Sequence, residues 1–117
     1  MRDVTPFKIM RPESVKRRED PGDTRLYYCD PDVDVVVTTM TKKHRGPEHL
    51  HTENVESYFV VRGELTMHVG EHCEVLHEGD MMVVYPGACH CFETTDEEVC
   101  FLAIKKYPQL QDKEPCS

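Results

Sequence analysis

Two histidines one residue apart, His49 and His51, are followed by Glu56, and a third, His90, closes the phrase Pro86-Gly87-Ala88-Cys89-His90. Side chains on a strand alternate faces with period two, so His-x-His on a strand aims both imidazoles to the same side. A carboxylate across a short loop and an imidazole from a neighbouring strand complete a set of three His and one Glu. Such a set holds a divalent transition metal and leaves positions open for a substrate. The other histidines, His44, His68, His72 and His77, have no such partners and read as surface or strand residues.

The surroundings of these residues are patterned as well. Gly63 follows the apolar run Tyr58-Phe59-Val60-Val61, and Gly79-Asp80 opens a second run, Met81 to Tyr85, that turns at Pro86-Gly87 into His90. On these residues the chain resembles the cupins. Their first motif is His-x-His, four residues, Glu, six residues, Gly, which His49, His51, Glu56 and Gly63 match throughout. In their second motif Gly79, Gly87 and His90 match, while Tyr85 replaces the usual proline, Pro86 comes one place later, and Thr94 replaces the usual asparagine. The first motif's leading glycine falls on Lys43, with Gly46 nearby. These departures touch turns, whereas all four metal-coordinating positions are kept. The resemblance spans residues 33 to 106 and implies an all-β double-stranded β-helix, or jelly roll, with one divalent ion (Fe, Mn, Ni, Co or Zn) on His49, His51, Glu56 and His90.

The elements needed to position such a site are visible as short runs rich in Val, Tyr, Phe and Thr. They are Leu26 to Cys29, Val33 to Thr41, Val55 to Val61, Leu65 to Val69, Cys73 to Leu76, Met81 to Tyr85, Cys89 to Glu93 and Val99 to Lys105. Gly, Pro or acidic turns separate them, as in a closed or double-sheet β architecture, and nothing reads as a long helix. Residues 11 to 24 carry Pro12, Pro21 and a dense mixture of charges and read as exposed. The expected division is an arm over 1–24, a barrel over 25–107 and a tail over 108–117.

Strand parity extends from the ligands to a pocket wall. From Glu56 the inward neighbours are Tyr58 and Val60, and from His90, Phe92. Tyr58 is the best polar contact near the metal, with a core tyrosine whose hydroxyl sits at the rim as the alternative. Glu56 and Tyr58 are the candidate catalytic residues, and Tyr58, Val60 and Phe92 the candidate substrate pocket. Cys89 and Cys91 flank His90 and so face away from the metal as packing residues, unless a bulge reverses the parity. There is no Cys-x-x-Cys pair among the 6 cysteines, and neither a disulfide nor a zinc knot is favoured.

With 117 residues, 38% of them hydrophobic, the chain builds one core. A net charge of -8 argues against nucleic-acid or anionic-membrane partners. No apolar run reaches membrane-span length and the N-terminus lacks a signal-peptide core, which makes the cytoplasm the expected compartment. The expected partner is a small-molecule substrate. Three functions fit: a redox-neutral Lewis-acid enzyme (isomerase, lyase, cyclase or decarboxylase type), a non-haem Fe(II) dioxygenase, and a non-catalytic ligand-binding module. The last is disfavoured by the intact ligand set and by the lack of an attached DNA-binding segment. The first is preferred, because Cys73, Cys89, Cys91, Cys100, Met81 and Met82 are liabilities near activated oxygen. Apolar residues before Asp30 (Phe7, Ile9, Met10, Leu26, Tyr27, Tyr28) and open strand edges predict a homodimer.

Overall fold

The computed structural model describes residues 5–19, 22–108 and 112–116. Asp20 and Pro21, counted in the charged segment above, lie outside the described residues, as do the two ends of the chain. The described residues form twelve strands: β1 (Lys16–Arg18), β2 (Asp23–Cys29), β3 (Val33–Met40), β4 (His44–Arg45), β5 (His49–His51), β6 (Val55–Arg62), β7 (Leu65–Val69), β8 (His72–Leu76), β9 (Met81–Val84), β10 (His90–Thr94), β11 (Val99–Lys106) and β12 (Lys113–Pro115). No described helix is long and apolar enough to cross a membrane.

The β-branched and aromatic runs form the long strands, and after β3 the chain passes back and forth between two antiparallel sheets. One has the order β1-β2-β3-β11-β6-β9, the other β12-β5-β10-β7-β8, with β4 also paired to β10. This alternation is the double-stranded β-helix expected from the sequence. Cross-strand register fixes which side chains meet inside. Phe101 stands opposite Thr38 and Val60, Ala103 opposite Val36 and Tyr58, and Lys105 opposite Asp34 and Glu56. The core between the sheets is built on Val60, Leu65 and Met67, each 0% exposed, with Phe101, Val99, Met40 and Val84.

The motif glycines act at turns. Gly63 has φ of +84°, and a Cβ there would overlap the carbonyl oxygen of Glu98. Gly87, with φ of +86°, turns the chain into β10 and donates its N–H to the His51 carbonyl at 2.7 Å. That bond ties the two ligand-bearing strands of the second motif and the first.

Three strands were not anticipated: β1, β4 and β12. Lys16-Arg17-Arg18 pairs along β2, and Lys113-Glu114-Pro115 pairs along β5. The expectation of no disulfide is corrected too, because Cys89 and Cys116 are bridged across 27 residues of sequence, while Cys29, Cys73, Cys91 and Cys100 are free. Pairing of β12 with β5 is what carries Cys116 to Cys89, a contact that sequence spacing does not reveal. Structural disulfides belong to oxidising compartments, so this bridge does not support the cytoplasmic expectation.

Candidate metal centre

Both sheets contribute to one cluster. His49 and His51 come from β5 with Leu50 between them on the other face, His90 opens β10 directly opposite His49, and Glu56 is the second residue of β6 in the other sheet. Their donor atoms all lie within 4.8 Å of one another, and His51 and His90 are buried. Strand backbones hold each side chain, so the cluster is preorganised.

The three imidazoles converge on a single carboxylate oxygen. Glu56 Oε1 is 2.6 Å from His51 Nε2, 3.0 Å from His90 Nε2 and 3.4 Å from His49 Nε2. The opposite ring nitrogens face pure acceptors: His49 Nδ1 meets the Pro47 carbonyl at 3.1 Å, His90 Nδ1 the Ala88 carbonyl at 2.9 Å, and His51 Nδ1 the Asp112 carboxylate at 3.0 Å. Each Nδ1 must therefore carry the proton, which leaves every Nε2 aimed at the centre as a donor of electron pairs. Three nitrogen lone pairs and a carboxylate cannot share that space without positive charge between them. Protonation of the rings would supply it, and so would one divalent cation, which this group of four could hold. Ligands about 2.1 Å from a common ion stand about 3.0 Å apart at right angles and about 3.4 Å apart at the tetrahedral angle, so the observed spacing fits after a slight widening at His51.

Burial opposes ionisation of Glu56, and positive charge at this point holds its carboxyl far below the usual range; without a cation, that charge is a second proton on the rings, acting through the His49 and His90 hydrogen bonds and the His51 and His90 charges. Tyr58 donates its hydroxyl to Glu56 Oε2 at 3.3 Å, and burial, with the neighbouring Glu56 charge, raises its pKa well above 10.0. Tyr58 is 4% exposed, part of the core at its ring and part of the centre at its oxygen.

Above the cluster opens a cavity of about 250 Å³ lined by His49, His51, Glu56, Tyr58, Phe92 and Phe101, among others. Tyr58 and Phe92 thus stand where parity put them. Val60 does not line this cavity: it is fully buried in the core between the sheets, beside Phe101 of β11. Cys91 packs on the outer face of β10 beside Arg45, and Cys89 is held in the disulfide. A second donor group, Glu48 with Cys89 and Cys116, has both its sulfurs in that bridge and so offers no thiolates.

Sequence reasoning missed Asp112. Its Oδ1 faces His51, and its Oδ2 accepts from the Asn54 backbone N–H at 2.8 Å, from that of Glu53, and from the Thr52 hydroxyl at 3.4 Å. One carboxylate thereby orients His51 and shapes the loop leading to Glu56. Burial alone would raise its pKa, but the Glu53 and Asn54 hydrogen bonds and His51 lower it to about 2. No local pattern announces this residue. Lys105 and Asp34 were missed as well, although alternation from Phe101 and from Thr38 puts both on the inward face.

Comparisons with known proteins agree with this architecture. The family model described as "Cupin domain" matches residues 36–105. No curated protein matches the sequence. Among solved structures, KdgF from Halomonas sp. is similar at TM-score 0.76 and 16% identity, covering 86% of this chain and 94% of its own. A sugar phosphate isomerase of the cupin superfamily from Silicibacter pomeroyi is similar at 0.74 and 18%, covering 85% and 75%. The nucleoside dehydratase Pac13 of Streptomyces is similar at 0.74 and 20%, covering 94% and 90%. At these identities the likeness is one of fold.

Proposed function

We propose, for a chain that belongs to the cupin family, that it is a metal-dependent enzyme acting on a small molecule by redox-neutral chemistry. The observation that carries this reading is the convergence of three His Nε2 atoms and Glu56 Oε1 at the base of a cavity. His49, His51, Glu56 and His90 would hold one divalent ion, Fe, Mn, Ni, Co or Zn, with no choice among them set by the donor list. Such an ion supplies Lewis-acid polarisation of a bound oxygen.

The chain's own residues do the rest. Tyr58 keeps its proton, since burial beside the Glu56 charge makes its phenolate costly, and so its one O–H, given to Glu56 in the resting site, can turn to an oxygen bound beside it. Phe92 and Phe101 form an apolar wall that limits water and strengthens every electrostatic contact inside. Two structural neighbours are an isomerase and a dehydratase, both redox-neutral enzymes, which supports the preference over a dioxygenase. The sulfur argument is weaker than the sequence suggested, since Cys73 and Met81 are exposed away from the cavity.

The test is metal analysis of protein purified without added metal, followed by turnover of small carbonyl acids, diketones and sugars with and without oxygen. Redox-neutral turnover persists anaerobically and survives exchange of iron for zinc, manganese or cobalt. Loss of all turnover on strict removal of oxygen would instead establish the dioxygenase. Tyr58→Phe should retain metal and lose most of the activity. Assembly as a homodimer is part of the proposal, supported by open strand edges and by exposed Phe7, Ile9 and Tyr28, and a strictly monomeric mass by light scattering would refute it.

A further inference from the structure

Three of the 14 lysines and arginines line the cavity that contains the metal group: Arg18, Lys105 and Lys113. They arrive from separate parts of the fold. Arg18 ends β1 at one edge of the first sheet, Lys105 lies on β11 in its middle, and Lys113 opens β12 at the edge of the second sheet. Arg18 and Lys113 also line the adjoining depression beside His44 and Phe92, so they flank the mouth from both sheets.

These cations are not spent on the protein's own acids. Arg17 pairs with Asp23 at 2.8 Å and Glu19 at 3.0 Å, and Arg25 pairs with Asp23 at 3.1 Å. Arg18, Lys105 and Lys113 make no ion pair among the described residues, although 22 carboxylates are available in the chain. Lys105 is the sharpest case. It stands on the inward face opposite both Asp34 and Glu56, yet it is paired with neither. Asp34 itself lines the cavity and keeps a buried Oδ1 without a hydrogen-bond partner, an acceptor that a donor group of the guest, not its anionic end, would satisfy.

We propose that the substrate carries an anionic group, a carboxylate or a phosphate, held at the cavity mouth by Arg18, Lys105 and Lys113 while its other end reaches the metal group. Guanidinium and ammonium groups match such oxygens in geometry and charge. Arg18 and Lys113 lie outside residues 36–105, the stretch shared with the cupin domain family, so this selectivity belongs to what this chain adds to the barrel. The proposal rests on the metal-centre reading only for where the second end of the substrate goes.

Calorimetric titration of malonate and of inorganic phosphate tests it, using metal-free protein so that chelation does not contribute. Saturable binding of at least one anion is expected, weakening with added salt, with none for uncharged glycerol. Saturation by malonate alone assigns a carboxylate, and by phosphate alone a phosphate. Arg18→Gln and Lys113→Gln, both on exposed edge strands, should each bind about tenfold more weakly, and Arg18→Lys should recover part of the loss. The His49→Ala, His90→Ala double variant should still bind the anion while failing to take up metal, which separates this proposal from the metal reading. Absence of saturation by either anion, or full affinity in the Arg18→Gln, Lys105→Gln, Lys113→Gln triple variant with strand content intact, would overturn it.

Discussion

Asp112 shows how a distant residue completes a site that a motif only begins. Its Oδ1 accepts a hydrogen bond from His51 Nδ1–H at 3.0 Å, which fixes the tautomer and turns Nε2 inward. Asp112→Asn keeps the size but removes the charge, and should lower affinity for zinc or manganese about 10- to 100-fold, read by competition with a chromogenic chelator. Unchanged affinity would show that the contact has no part in metal binding. The pH dependence has a defined sign. The Asp112 carboxyl is depressed from 3.8 to about 2, so its stabilisation is fully present above 3.8 and is lost as pH falls through 2. Hydrogen exchange at Glu53 and Asn54, whose N–H groups it binds, should accelerate over that window relative to strands away from the loop. The clustering of His49, His51, Glu56 and His90 was legible because strand parity and spacing are local properties. Asp112 was not, because its 61-residue separation from His51 is closed only by tertiary structure.

Strand β12 is the element that delivers this carboxylate. It is three exposed residues pairing with β5 in the register Lys113 to His51, Glu114 to Leu50 and Pro115 to His49, and Cys116 then fastens it to Cys89, one residue before His90. A strand so short and polar has little apolar burial of its own, so the crosslink does much of the holding. Cys116→Ser should cost about 3 kcal/mol by releasing the closed loop. It should also raise exchange at β12 and weaken metal binding in the direction of Asp112→Asn. Retention of wild-type exchange at Lys113 and Glu114 would show that pairing with β5 suffices alone. The eight long strands were readable from β-branched and aromatic runs, within a few residues at their ends. β1 and β12 were not, since their sequences, Lys-Arg-Arg and Lys-Glu-Pro, carry the charges and proline with which edge strands avoid aggregation and have no periodic signal.

The whole molecule is two sheets joined by a core and, at one end, by the three-His, one-Glu cluster. Phe101, Val60 and Leu65 fill the middle, where burial of each large side chain contributes about 1.5–3 kcal/mol. At the open end this packing gives way to a cavity, and the sheets there are linked through polar groups: Glu56 from one, His49, His51 and His90 from the other. An ion on these four donors, as proposed, would tie the sheets where the apolar core does not reach. Ligation to the native state alone stabilises by mass action, about 2.7 kcal/mol when free metal is 100 times the dissociation constant. Thermal unfolding should therefore shift upward with added zinc or manganese and downward with chelator, and hydrogen exchange should slow most in β5, β6 and β10. The His49→Ala, His90→Ala variant should unfold at a temperature indifferent to metal while keeping its strand content, because its core residues are untouched. A metal-dependent shift surviving in that variant would place the stabilising ion elsewhere on the chain and remove the cross-sheet role argued for these four residues.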